Sequence, residues 1–162
     1  MDTSEKVYKT LDDLSIEYEK HEHPPVFTVE EANEHWSDIK GKHSKNLFLR
    51  NKKGNRHFLV VMDAEKSLDI KQFQNKIGIS NLSFASEKRL DKYLGLAKGS
   101  VSPFGLINDE NHEVEVIVDK DIINADFVNF HPNINTATVT ISAADFKRFL
   151  EQMGNKLTFM TF

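Results

Sequence analysis

The chain has 162 residues, 39% of them hydrophobic and 28% charged, which is enough apolar material for the core of one compact domain spanning residues 1–162. It contains no cysteine, which excludes disulfides, thiolate metal sites and cysteine nucleophiles, and its formal net charge of -4 argues against a nucleic-acid binder held by an overall positive field. No apolar run approaches bilayer length and "MDTSEKVYKTLDDLSIEYEK" lacks a basic segment leading into an apolar one, so a soluble cytoplasmic protein with no membrane partner is expected.

Val7, Leu11 and Leu14 recur at helical spacing and predict an amphipathic helix that feeds a strand around "IEYEKHEH", ended by Pro24 and Pro25. In "FTVEEANEHW", Thr28 stands three residues before Glu31, a capping-box pattern that predicts a short helix turning Ala32 and Trp36 inward. "NLFLRN" and "RHFLVVMD" flank the turn "KKGN" as a central hairpin, and the apolar run Phe58 to Met62 predicts a strand covered on both faces. Two short helices follow. One carries Ile70, Phe73 and Ile77 and closes at Gly78; the other carries Leu90, Tyr93 and Leu94 and closes at Gly95.

The alternation Val114, Val116, Val118 marks a further strand, and after a turn "ADFVNF" and "TATVTI" read as two more. Ser142, three residues before Asp145, starts a last helix, whose stripe of Phe146, Phe149, Leu150 and Met153 belongs to the core. Strands and helices mix without regular βαβ spacing and no linker divides them. A single α/β or α+β domain around a mixed sheet flanked by helices is therefore expected.

Chemistry concentrates in three places. From Lys40 to Arg56, "KGKHSKNLFLRNKKGNR" holds seven Lys or Arg and no acid. Arg50, Lys52, Lys53 and Arg56 could form a phosphate-facing patch on an acidic body, although a solvated hairpin would look the same. Lys45 differs from these neighbours because it directly precedes the apolar "NLFL", where its stem can lie along the sheet rim.

The second place is "GLAKGSVSPFGLIND". Its three glycines and Pro103 allow a loop whose Ser100, Val101 and Ser102 N–H groups would hold a carbonyl or carboxylate oxygen; an ordinary tight turn is the alternative. The loop lacks the Lys-Ser/Thr of a phosphate P-loop, and neither serine sits in a G-x-S-x-G elbow. The third place is His131, which Pro132 pushes toward extended geometry. Near neutral pH its ring could donate or accept a hydrogen bond, as could a purely structural histidine. His21 and His23 could be two metal ligands from one strand, but no third ligand stands at a recognisable spacing, and no metal or other cofactor is expected.

Four stretches, "HPPVFTVEEA", "KNLFLRNKKG", "GSVSPFGLIND" and "FHPNINTATVTIS", together resemble the YbaK/prolyl-tRNA-editing family in order and spacing, most closely its freestanding members called ProX or PrdX. The resemblance runs over nearly the whole chain. It implies a curved mixed sheet flanked by helices and a deacylase that removes alanine mistakenly esterified to tRNA(Pro). It places the family's functional lysine on Lys45, its G-x-x-x-P loop on Gly99, Ser100, Val101, Ser102 and Pro103, with Phe104 beyond, and its pocket histidine on His131. The alternatives are removal of cysteine from the same tRNA, as the YbaK branch does, and a non-catalytic tRNA-binding module recruited to prolyl-tRNA synthetase. One departure is Asn133, where an apolar residue would be expected after the proline, which leaves the local packing there open.

Overall fold

The computed structural model describes residues 3–25 and 39–162, so the predicted Thr28-capped helix lies outside the described residues. Helix α1 (Thr3–Asp13) leads to β1 (Glu19–Glu22), and the hairpin β2 (Lys42–Arg50) and β3 (His57–Asp63) follows. Next come α2 (Ile70–Ile77), the two-residue β4 (Ser83–Phe84) and α3 (Glu87–Leu94). A 3₁₀ segment (Pro103–Asn108) precedes β5 (Val114–Asp119), the single turn α4 (Lys120–Ile123), β6 (Phe127–Phe130), β7 (Ala137–Ser142), α5 (Ala143–Met153) and β8 (Leu157–Met160).

The strands form one mixed sheet in the order β1-β7-β6-β2-β3-β5-β8, with β4 attached to β2. The hairpin β2–β3 is antiparallel, with Lys45 opposite Met62 and Arg50 opposite His57, whereas β3–β5 and β5–β8 are parallel. Every residue of β3 is buried, as its unbroken apolar run predicts. The larger core lies on one face, where Val7 and Leu11 of α1, Leu90 and Leu94 of α3 and Phe146, Phe149 and Leu150 of α5 close over the sheet. Leu49, Phe58, Val60 and Met62 face the other way, beneath Phe73 of α2.

The Ser142 cap and the closing glycines stand where the sequence predicts them, and Ser86 adds a cap that the sequence reading does not name. Ser86 Oγ accepts from Arg89 N–H at the start of α3 and Ser142 Oγ from Asp145 N–H at the start of α5, while Gly78 and Gly95 close α2 and α3. Three elements lie beyond the sequence reading: β4, β8 and the 3₁₀ segment. Asn133 packs at 5% exposure with φ +63°, and asparagine is among the few residues other than glycine that tolerate that conformation. No helix among the described residues is long and apolar enough to cross a membrane.

Candidate active site

The site begins with a division in one strand edge. β2 gives one edge to β3 and divides the other: Lys42 and His43 pair with β6, Leu49 and Arg50 pair with β4, and residues 44–48 between them have no strand partner on that edge among the described residues. His43 C=O accepts from Ala64 N–H, and Asn51 N–H donates to Arg56 C=O, so odd-numbered β2 residues turn their backbone groups toward β3. Ser44, Asn46 and Phe48 turn theirs toward the open edge, where Phe48 C=O accepts from Ala85 N–H at 2.9 Å.

The opening deepens into a cavity of about 390 Å³ walled by Asn46, Leu47 and Phe48 of β2, by Phe84 of β4 and by Gly99 and Val101 of the loop. Asn46 also lines an adjoining recess of about 10 Å³, shared with Ser44, Asn129, His131 and Thr138. Its amide is held by a short relay: Asn46 Nδ2 donates to Ser44 Oγ at 3.4 Å, and Ser44 Oγ donates to Asn129 C=O at 2.9 Å. Asn46 Oδ1 is buried and has no hydrogen-bond donor among the described residues. An unsatisfied buried carbonyl costs about 1–3 kcal/mol. Sequence reading passes over Asn46; its only signal is a lone amide at the head of an apolar strand.

His131 stands at the end of β6. Its Nδ1 lies 3.1 Å from Ala137 C=O, which requires the proton on Nδ1 and leaves Nε2 as an acceptor. Burial pushes its pKa below 6.5 and His23, 6.3 Å away ring to ring, pushes in the same direction, while the Ala137 hydrogen bond opposes them. His131 is therefore neutral at pH 7.

The loop behaves differently residue by residue. Gly99 has φ +88° and lines the cavity with Val101, so that position suits glycine for conformational reasons alone. Ser100 N–H donates to Ala97 C=O, so it is not the free donor expected from sequence. Ser102 is fully buried and its Oγ accepts from Phe104 N–H, capping the 3₁₀ segment above Pro103. Phe104 is a core residue and not a cavity wall: it is fully buried and packs edge-on against Phe130 and Phe149, with ring centroids 5.8 and 5.2 Å apart.

Lys45 and Asn46 are adjacent and project to opposite faces of β2. Lys45 shares the Leu47 face, is half-buried, pairs with no described residue and does not line either cavity. In the basic stretch, Lys52 and Lys53 are exposed at the hairpin tip and Arg50 folds over the turn. Arg56 departs from the expectation of an open phosphate contact. Its Nε and Nη2 donate to both oxygens of Glu115 at 2.9 and 2.8 Å. A larger hollow of about 730 Å³, near α1, β1 and β7, is walled by Asp12, Glu17, Glu19 and Asp145. Those carboxylates disfavour a polyanion, and none of the sequence-predicted site residues lies there.

Residues 23–149 match the family model described as the aminoacyl-tRNA editing domain, and the chain belongs to that family. It is 48% identical over 155 residues to the prolyl-tRNA editing protein ProX of Acetoanaerobium sticklandii, covering 96% of this chain and 94% of that one. It is also 34% identical to the prolyl-tRNA synthetase associated domain-containing protein 1 of Danio rerio, over all of this chain and 89% of the relative. Among solved structures, one described as a candidate trans-editing enzyme for prolyl tRNA synthetase superposes with a TM-score of 0.73 at 19% identity, over 100% of this chain and 98% of that one, a likeness of fold.

Proposed function

We propose that this chain is a trans-editing deacylase that hydrolyses the ester of alanine mischarged on tRNA(Pro). The observation that carries the reading is the divided edge of β2, which puts Asn46 between a ligand-sized cavity and the His131 recess. Family membership and 48% identity to a prolyl-tRNA editing protein support the same reading.

The chain's own groups suit water-driven ester hydrolysis. The serines that line the site are engaged elsewhere, Ser44 Oγ donating to Asn129 C=O and Ser86 Oγ accepting from Arg89 N–H, while Ser102 is fully buried with its Oγ accepting from Phe104 N–H. None is hydrogen-bonded to a histidine among the described residues. Attack therefore falls to water, which adds to the ester carbonyl; the tetrahedral intermediate then expels the ribose oxygen, which takes a proton, and alanine leaves as the free acid. Neutral His131 accepts through Nε2 and orients the water or the α-amino group. Asn46 Oδ1 accepts from the substrate ammonium, and the Gly99 turn brings backbone close to the ester oxygen. Lys45, which forms no ion pair among the described residues, holds the terminal ribose or phosphate.

Alanine is smaller than proline, and a synthetase site built for the larger ring discriminates by only about 1–3 kcal/mol for a methylene or so. A second pocket that admits alanine and rejects the ring supplies the missing selectivity. The test is single-turnover deacylation of Ala-tRNA(Pro) by the wild type and by Lys45→Ala. The wild type should release alanine and the variant should lose nearly all activity with an unchanged melting curve; no release by the wild type would end the reading.

A further inference from the structure

We propose that Arg89 and Arg50 together form a binding site for a backbone phosphate of the RNA strand, at the Gly54 turn of the β2–β3 hairpin. The inference rests on the deacylase reading for the identity of the strand, and on independent geometry for the site.

Arg89, on α3, was no part of the basic stretch read from sequence. Its Nη1 faces two acceptors, Gly54 C=O at 3.1 Å and His57 Nε2 at 3.1 Å. Arg50 reaches over the same turn, donating from Nε to Asn51 C=O at 3.1 Å and from Nη2 to Lys52 C=O at 3.0 Å. The two guanidinium tips converge. A Cβ at Gly54 would lie 2.8 Å from Arg89 Nη2 and 3.1 Å from Arg50 Nη2, which puts both tips beside this turn, where a φ of +72° favours glycine.

This convergence of like charge has no carboxylate to balance it. Among the described residues neither guanidinium has an ion pair, and the acids of α3, Glu87 and Asp91, do not reach them. Lys52 and Lys53 stand exposed at the hairpin tip, and Lys92 of α3 adds a positive charge near the turn. Their field is felt by His57, which is buried and whose pKa is lowered to about 4, first by burial and then by Arg89, Arg50 and Lys92. Neutral His57 stacks on Phe48, packs against the tilted ring of Tyr93 and serves as an acceptor that anchors Arg89. Arg56, on the same hairpin, is neutralised by Glu115, so the pair stands out from its own neighbourhood.

Two guanidiniums, each anchored on backbone or ring acceptors and presenting further N–H groups toward one point, match the several oxygens of a phosphate. The strand connects this point to the site. Arg50 lies four residue steps along β2 from Asn46, about 13 Å at roughly 3.3 Å per residue. That is a few nucleotides of single strand upstream of the ester.

The probe is a non-aminoacylated RNA hairpin carrying the acceptor stem and its 3′ single strand, titrated against the wild type, Arg89→Gln and Arg50→Gln over a range of salt. Each variant should bind roughly 10-fold or more weakly at about 0.15 M salt, and the slope of log affinity against log salt should fall by about 1. Arg50→Gln breaks only bonds within its own turn, so it decides the matter if Arg89→Gln melts early. Wild-type affinity and slope in a folded variant would overturn the site. So would an Arg89-dependent affinity for inorganic phosphate with RNA binding untouched, which would make it a small-anion site. RNA binding lost in the variants of a wild type that does not deacylate would sink the deacylase reading and leave this site standing.

Discussion

Replacing Asn46 by leucine should make the protein more stable and the enzyme worse. Among the described residues Asn46 Oδ1 is buried without a donor, a cost of about 1–3 kcal/mol, and the one bond its amide makes there, to Ser44 Oγ at 3.4 Å, is too long to return much. Leucine has a similar branched shape, removes the orphaned oxygen and leaves the Ser44–Asn129 bond in place. A gain of about 1 kcal/mol is expected, which raises Tm by roughly 2–4 °C in a chain of this size. A bound ammonium would lose a hydrogen bond to a charged group, worth about 1.5–3 kcal/mol, so turnover should fall roughly 10- to 150-fold. Thermal melting and single-turnover deacylation on the same preparation measure both numbers. A variant that melts lower and keeps wild-type turnover would refute the assignment of Asn46 to the substrate and return it to a structural role.

Gly99→Val forces a β-branched residue into φ +88°, which should cost about 1–3 kcal/mol of stability, while displacement of the backbone beside the ester should cost roughly 10² to 10³ in rate; near-normal chemistry would remove the loop from the site. The pH dependence of folding carries the mark of His57. Its folded pKa of about 4 lies below the ordinary 6.5, so the unfolded chain binds the proton more readily. The group's contribution is whole above about pH 6.5 and is lost as pH falls toward 4, on the order of 3 kcal/mol in total. Denaturant midpoints of the wild type and His57→Gln across that window should diverge in slope, and parallel curves would contradict the shift. Arg56→Ala should cost about 1 kcal/mol or less and leave RNA affinity unchanged, because its guanidinium serves Glu115; a clear loss of RNA binding would restore it to the interface.

What could be read from sequence follows from how local each signal is. The cap at Ser142, the closing Gly78 and Gly95, the apolar run of β3 and the stripe of α5 depend on neighbours within a few residues, and each stands where its pattern predicts. β2 begins at Lys42, four residues before the strand read from sequence, because pairing with β3 and β6 overrides the polar composition of "KHSK". β4 and β8 carry too few residues to show a period. The candidate site divides in the same way. Gly99 and His131 announce themselves by glycine and proline chemistry, which is local. Asn46 does not, since what singles it out is the gap between β6 and β4 on one edge of β2. Phe104 looks like a loop residue until Phe130 and Phe149 close on it, and Arg56 looks free until Glu115, 59 residues away, arrives beside it.

The central claim is selectivity for a small aminoacyl ester in the cavity beside Asn46, and single-turnover deacylation of Ala-, Cys- and Pro-tRNA(Pro) side by side tests it most directly. The account predicts rapid release of alanine, slower release of cysteine and no measurable release of proline above the uncatalysed rate. Release of proline at the alanine rate would contradict it, as would a protein that binds all three and hydrolyses none.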